Sequence, residues 1–207
     1  MPERARQKRK GAYHHGDLGQ ALVQAALDTI REESVEALTL RSVGARVGVS
    51  RTALYRHFDD KAALVARVAA EGFRLLGDTM TRAVANSSPD QGDTLQVMAA
   101  AYVHFALVNQ SHYQTMFGGF PREWDRYPDL VQNAEAAFNQ LADALRDEQR
   151  RGRIRDGNAV ELAEMAWSLS HGIATLALAH RLPRASMSVE ELAVWGCGFL
   201  QTGMRLA

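Results

Sequence analysis

The residues at 51–61, RTALYRHFDDK, crowd hydrogen-bond donors around two apolar anchors, Leu54 and Phe58. These anchors are four apart, so on a helix they share one face and pack inward. Arg51, Thr52, Ala53 and Arg56 are then left outside. The chemistry such a face can do is recognition of a nucleic acid. Short side chains let the backbone come close to base edges. Arg51 or Arg56 can donate twice to a guanine, and the methyl of Thr52 or Ala53 can touch a thymine. Tyr55, His57 and Lys61 bring a hydroxyl, an imidazole and an ammonium to the rim, where phosphates would lie. Taken singly, Tyr55 reads equally well as an aromatic packed on a neighbouring helix, and His57 as an ordinary surface histidine. Their gathering on one capped segment after a glycine turn is what points to DNA.

Other chemistries fit poorly. Ser168 and Ser170 lie near His171, but no G-x-S-x-G elbow, phosphate-binding glycine loop or acidic cluster accompanies them, so no catalytic residue is expected. His104, His112, His171 and His180 lack the i, i+4 spacing with acidic neighbours of a metal helix, so neither metal nor cofactor is expected. The single cysteine, Cys197, excludes an intramolecular disulfide and reads as a small core residue.

The elements around this segment follow from periodicity and capping. Leu18, Leu22, Ala25, Ala26 and Ile30 predict a first helix over 17–33. Thr39 is suited to cap a second helix, Leu40–Val47, which Gly48 ends in a tight turn. Ser50 caps a third helix over 51–58. Helix, glycine-containing turn, helix is the helix-turn-helix arrangement. Residues 16–61 therefore form a DNA-binding domain. Residues 1–15 are a basic arm, read either as a disordered tail or as a segment that lies on phosphates.

Residues 62–207 read as a helical body. A fourth helix covers 60–86, with Leu64, Val65, Val68, Phe73, Leu76, Met80 and Val84 as its apolar positions. NSSPDQGD at 86–93 is a loop. A nearly all-apolar fifth helix follows, and SHYQTMF continues it into Gly118 and Gly119. Pro128 starts a helix that Gly152 ends, with RDEQRRGRIRDG as a solvated helix end. Asn158 with Glu161, and Ser188 with Glu191, are spaced as capping boxes for two last helices. Both are apolar on more than one face. This predicts a homodimer through a four-helix arrangement, with Gly172, Ala177, Gly196 and Gly203 allowing close approach. The competing reading is two core helices of a monomer.

Composition agrees with an all-α soluble chain. Hydrophobic residues are 46% and there are 5 prolines in 207 residues, enough for a core and favourable to helix. Net charge is 0, but residues 1–61 carry 11 Lys/Arg against 8 Asp/Glu. A basic surface is therefore local. No apolar leader or membrane-length stretch is seen, so a cytoplasmic protein with no membrane partner is expected.

The segment TLRSVGARVGVSRTALYRHFDDKAAL resembles the helix-turn-helix of the TetR family of bacterial transcriptional regulators. The GVS turn, ALYRHF and the D-x-K-x-x-L step stand in that family's order, and the likeness covers residues 17–65. The rest resembles the Trp-His-Gly type of C-terminal domain through Trp167, His171 and Gly172, with YVHFALVNQSHYQTMFG upstream. The resemblance implies about nine helices, a homodimer through the last two, and repression of transcription relieved by a small ligand. It places Arg41, Arg51, Thr52, Ala53 and Arg56 at base-reading positions, and Thr39, Tyr55, His57 and Lys61 at phosphates of a double-stranded operator. It also implies a pocket for a small apolar ligand inside the body. Candidates for its lining are Tyr102, His104, Phe105, Tyr113, Met116, Phe117, Phe138, Trp167 and, foremost, His171. Plain core packing is the competing reading for each. A non-transcriptional, architectural or division-linked DNA-binding role on the same fold is the alternative function.

Overall fold

The computed structural model describes residues 18–88, 93–182 and 186–204. The arm at 1–15 and half of the loop ahead of the fifth helix, residues 89–92, lie outside them. Among the described residues there are nine α-helices and no strand. The chain divides into two compact units after Lys61.

The first unit holds α1 (Leu18–Glu32), α2 (Leu40–Val47) and α3 (Arg51–Tyr55). α1 buries Leu22, Val23, Ala26 and Ile30 on one stripe, and Leu38, Val43, Leu54 and Phe58 close the core. A capping box opens α2. Thr39 Oγ1 accepts from Ser42 N at 3.0 Å, and Ser42 Oγ accepts from Thr39 N at 3.2 Å. Gly48 takes φ 76°, the left-handed conformation that lets Gly48 N and Val49 N bond back to Ala45 O and Gly44 O. At Gly44 a Cβ would stand 3.3 Å from Leu54 Cδ2, so the absent side chain sets the close approach of α2 and α3. The third helix is shorter than its periodicity predicts. It ends at Tyr55, and residues 56–57 form a turn, because both His57 N and Phe58 N converge on Leu54 O.

α4 (Lys61–Ala85) leads into the second unit, which adds α5 (Thr94–Val108), α6 (Gln110–Phe117), α7 (Pro128–Arg150), α8 (Ala159–Leu178) and α9 (Val189–Met204). A single 3-10 turn, Trp124–Arg126, precedes α7. α5 is the axis of this unit. It packs on α7, α8 and α9, and it buries Leu95, Met98, Tyr102, Val103, Phe105 and Ala106. Its continuous apolar run is what a helix surrounded by neighbours requires.

Three expectations are corrected here. SHYQTMF does not continue the fifth helix. Asn109, at φ −110° and ψ 48°, breaks it, and its side-chain amide donates to Phe105 O at 3.1 Å. α6 therefore starts in a new direction, and Tyr113 and Met116 turn into the core. Second, the Asn158–Glu161 pair is not reciprocal. Asn158 Oδ1 accepts from Val160 N, and its amide donates to Glu161 Oε1 at 2.9 Å instead of leaving that carboxylate for the backbone. Third, the charged helix end and loop at 146–157 are not wholly solvated. Glu148 is buried with Arg153 at 3.2 Å and Arg151 at 3.7 Å, and Ile154 is buried beside it. The Ser188–Glu191 box forms in both directions.

Candidate nucleic-acid interface and an apolar cavity

Local capping determines where the polar side chains of the first unit point. Ser50 Oγ accepts from Ala53 N at 3.2 Å, which fixes the first turn of α3. With Leu54 and Phe58 buried, Arg51, Thr52, Tyr55, Arg56 and His57 are exposed, and Ala53 is half-buried. Arg41 is exposed at the start of α2, and Thr39 is exposed while its hydroxyl serves as the cap. Arg51 lies over the Tyr55 ring at 5.4 Å, a cation–π contact that restrains both side chains on the surface. His57 lies beside Gly19, where a Cβ would come within 3.6 Å of its Nδ1. Lys61 Nζ donates to Glu36 O at 2.8 Å, which ties the first turn of α4 to the α1–α2 connection. Of the nine predicted contact residues, Thr39 caps α2 and Arg41 lies on it, Arg51, Thr52, Ala53 and Tyr55 lie on α3, Arg56 and His57 form the turn after it, and Lys61 opens α4.

One clamp went unread in the sequence. Arg46 grips Glu32 with two guanidinium bonds of 2.8 and 2.5 Å, α2 to α1. The hydrogen bond from Arg46 holds the Glu32 carboxyl below the usual carboxylate range. Fourteen positions separate the two, so no helical spacing signals the pair.

The second unit holds a half-open cavity of about 710 Å³. Phe73, Leu76 and Met80 come from α4, Tyr102 from α5, and Met116 and Phe117 from α6. Ala134, Glu135, Ala137, Phe138, Asn139 and Leu141 come from α7, Trp167 from α8, and Gly119 and Trp124 from the segment between α6 and α7. The rings meet edge to face. Phe73 stands 5.5 Å from Phe117 and 5.7 Å from Trp124, and Phe138 stands 6.0 Å from Trp167. Gly72 makes room for α6, since a Cβ there would lie 2.6 Å from Met116 Sδ.

Of the predicted lining residues, Tyr102, Met116, Phe117, Phe138 and Trp167 do line this cavity. Tyr113 and His171 stand behind Tyr102. Tyr102 and Tyr113 hydroxyls approach His171 Nδ1 at 3.0 and 2.8 Å, and Trp167 Nε1 donates to Tyr102 Oη at 3.3 Å. Tyr113 Oη also reaches Thr175 Oγ1 at 3.3 Å. Burial pushes the His171 imidazole below its ordinary range and both phenols above theirs. Four candidates are corrected. Tyr113 and His171, the latter the foremost candidate, do not line the cavity but form a hydrogen-bonded layer behind Tyr102. Phe105 is buried in the general core, not against the cavity, and His104 faces outward, 3.4 Å from Glu190. On an all-apolar helix, sequence spacing does not show which side meets a void. Phe73, Leu76 and Met80 carried a readable signal, an apolar stripe along α4. Trp124, in the single 3-10 turn before α7, carried none.

On the outer side, α8 exposes Met165 and Leu176, and α9 exposes Trp195 and Phe199. Nothing lies within 4 Å of a Cβ placed on Gly172 or Gly203, and Ala177 is half-buried. Gly196 differs from the expectation. A Cβ there would meet Leu169 at 3.1 Å, so this glycine serves the packing of α9 on α8 within the subunit.

A capped helix-turn-helix unit joined to an all-helical second unit defines a DNA-binding transcriptional regulator. Residues 22–68 match the description "Bacterial regulatory proteins, tetR family", and residues 95–198 match "Tetracyclin repressor-like, C-terminal domain". The chain belongs to the TetR family. It is 29% identical over 93 residues to the uncharacterized HTH-type transcriptional regulator YobS of Bacillus subtilis (strain 168), covering 45% of this chain and 48% of that protein. It is 36% identical over 69 residues to the tetracycline repressor protein class A from transposon 1721 of Escherichia coli, covering 33% of this chain and 31% of that one. The alignments thus span less than half the length of either relative. A solved structure of a protein with unknown function from Rhodococcus sp. RHA1 superposes with a TM-score of 0.81 at 28% identity, covering 95% of this chain and 100% of that one. Among the described residues no helix is long and apolar enough to cross a membrane.

Proposed function

We propose that this regulator is a cytoplasmic homodimeric repressor that binds a palindromic operator and is released by a small ligand held in the cavity of the second unit. The observation that carries the reading is the division of α3 and its turn. Their apolar residues are buried, and Arg51, Thr52, Tyr55, Arg56 and His57 are exposed on a rigidly capped segment. Arg41, Arg51, Thr52, Ala53 and Arg56 read bases, while Thr39, Tyr55, His57 and Lys61 sit on phosphates. The exposed apolar face of α8 and α9 supports pairing with a second copy. A two-fold dimer would place two recognition helices in successive major grooves, about 34 Å apart. Repression is supported by the name of the Escherichia coli relative. A ligand acts on this equilibrium only through its different affinity for the DNA-competent and DNA-incompetent states. Selection of bound duplexes from a random pool tests the reading. The expected result is one inverted repeat with half-sites a helical turn apart. Recovery of sequences without a shared motif would instead support the architectural role.

A further inference from the structure

Two tyrosine hydroxyls converge on one histidine nitrogen beside the cavity, and where their protons go bears on the chemistry of a ligand there. This inference rests on the cavity being the ligand site. A neutral imidazole Nδ1 offers one lone pair or one proton, never both. Two hydroxyls, Tyr102 and Tyr113, approach that one atom. Tyr113 is the closer at 2.8 Å and lies away from the cavity, whereas Tyr102 lines it. If Nδ1 accepts, Tyr113 alone satisfies it. If Nδ1 carries the proton, it donates to a phenol oxygen, and neither hydroxyl proton is used there. The two hydroxyls also hydrogen-bond each other, but Tyr113 Oη keeps Thr175 Oγ1 at 3.3 Å, so in both tautomers the Tyr102 O–H can turn to an incoming group without leaving a buried partner unsatisfied. The Tyr102 oxygen already accepts from Trp167 Nε1 at 3.3 Å, which biases this hydroxyl toward donating.

The remaining wall sets the charge. Among the described residues no Lys, Arg or His lines the cavity, and its one ionic side chain is the exposed Glu135. A carboxylate ligand would lose its hydration with no counter-ion and would pass a like charge. A cation would meet an outward-pointing O–H proton at the buried end. Aromatic edges and faces from Phe73, Phe117, Trp124, Phe138 and Trp167 suit flat rings. At about 710 Å³ the space falls within the range of about 300–1,000 Å³ typical for drug-sized ligands.

We infer that the cavity takes an uncharged, largely apolar, ring-containing molecule bearing a carbonyl-type oxygen, which accepts a hydrogen bond from the Tyr102 hydroxyl. Four probes on one skeleton test this on the full chain by equilibrium dialysis: 4-phenylbenzophenone, 4-benzylbiphenyl, biphenyl-4-yl(phenyl)acetate and the corresponding trimethylammonium. The ketone should bind about 2- to 12-fold more tightly than the hydrocarbon, the range of one neutral hydrogen bond. The two ions should bind more weakly than both. Tyr102→Phe should bring ketone and hydrocarbon to equal affinity, while Phe138→Ala should weaken both alike. Equal wild-type affinities for ketone and hydrocarbon, tighter binding of either ion, or no binding of any probe would overturn the assignment, whatever the fate of the variants. Anisotropy with a selected operator separates this from the repressor reading. A ketone that binds with the stated preference and leaves DNA in place keeps the ligand assignment and removes ligand release.

Discussion

Phe199→Asp is the sharpest perturbation of the assembly. Phe199 is 62% exposed and stacks edge to face on Trp195, itself 57% exposed, at 4.7 Å. A Phe side chain has on the order of 200 Å² to bury. The exposed share is therefore about 120 Å², which is about 3 kcal/mol at about 25 cal/mol per Å². A two-fold interface uses each residue twice, so the loss approaches about 6 kcal/mol, or about 10⁴-fold in the dimer dissociation constant. The introduced carboxylates would add to this if they face an apolar partner. Sedimentation equilibrium at micromolar concentration should show a wild-type dimer and a monomeric variant with an unchanged helical spectrum. Ala136→Asp, on the exposed side of α7, should leave the mass unchanged. A Phe199→Asp protein that stays dimeric would refute the assignment of this face. Gly196→Asp is the poorer test, because that position packs on Leu169 inside the subunit.

Further outcomes concern the first unit and two half-buried histidines. Arg51→Ala should relax preference at particular base pairs by about 1–3 kcal/mol if it reads a guanine, whereas Lys61→Ala should weaken all sequences and flatten the salt dependence by about one unit of slope. Operator selection and salt titration would check these, and a wild-type motif or an unchanged slope would reverse the respective role. Leu54→Ala should destabilise the first unit by about 2–5 kcal/mol, as read by thermal unfolding. A loss below about 1 kcal/mol would mean the α2–α3 contact can collapse onto Gly44. His112 and His171 both have pKa values lowered by burial. The unfolded chain then binds protons first, so stability should be level above about pH 6.5 and fall as pH drops below it. Denaturant midpoints of His171→Gln across that window should depend less steeply on pH.

The sequence alone determined the elements whose causes are local. Thr39, Gly48 and Ser50 bound α2 and the start of α3 because a cap or a left-handed turn acts within four residues. The four-residue spacing of Leu54 and Phe58 decided which residues of α3 and the turn after it are left exposed. α5 was legible as a buried axis because it has no polar face. What depends on long-range packing was not legible. The side of α5 that meets the cavity separates Tyr102 from Phe105 and His104, three residues of one uniform apolar run. The break at Asn109 depends on a side-chain bond to the carbonyl of Phe105 that competes with helix continuation. Gly196 and Gly172 look alike in the chain, yet Leu169 stands against one and nothing stands near the other. The links from His171 to Tyr113 and Tyr102 join residues 58 and 69 positions apart. Helical periodicity repeats within a few residues and carries no information at that range. Only the packing of α5, α6 and α8 decided that two hydroxyls converge on His171 Nδ1.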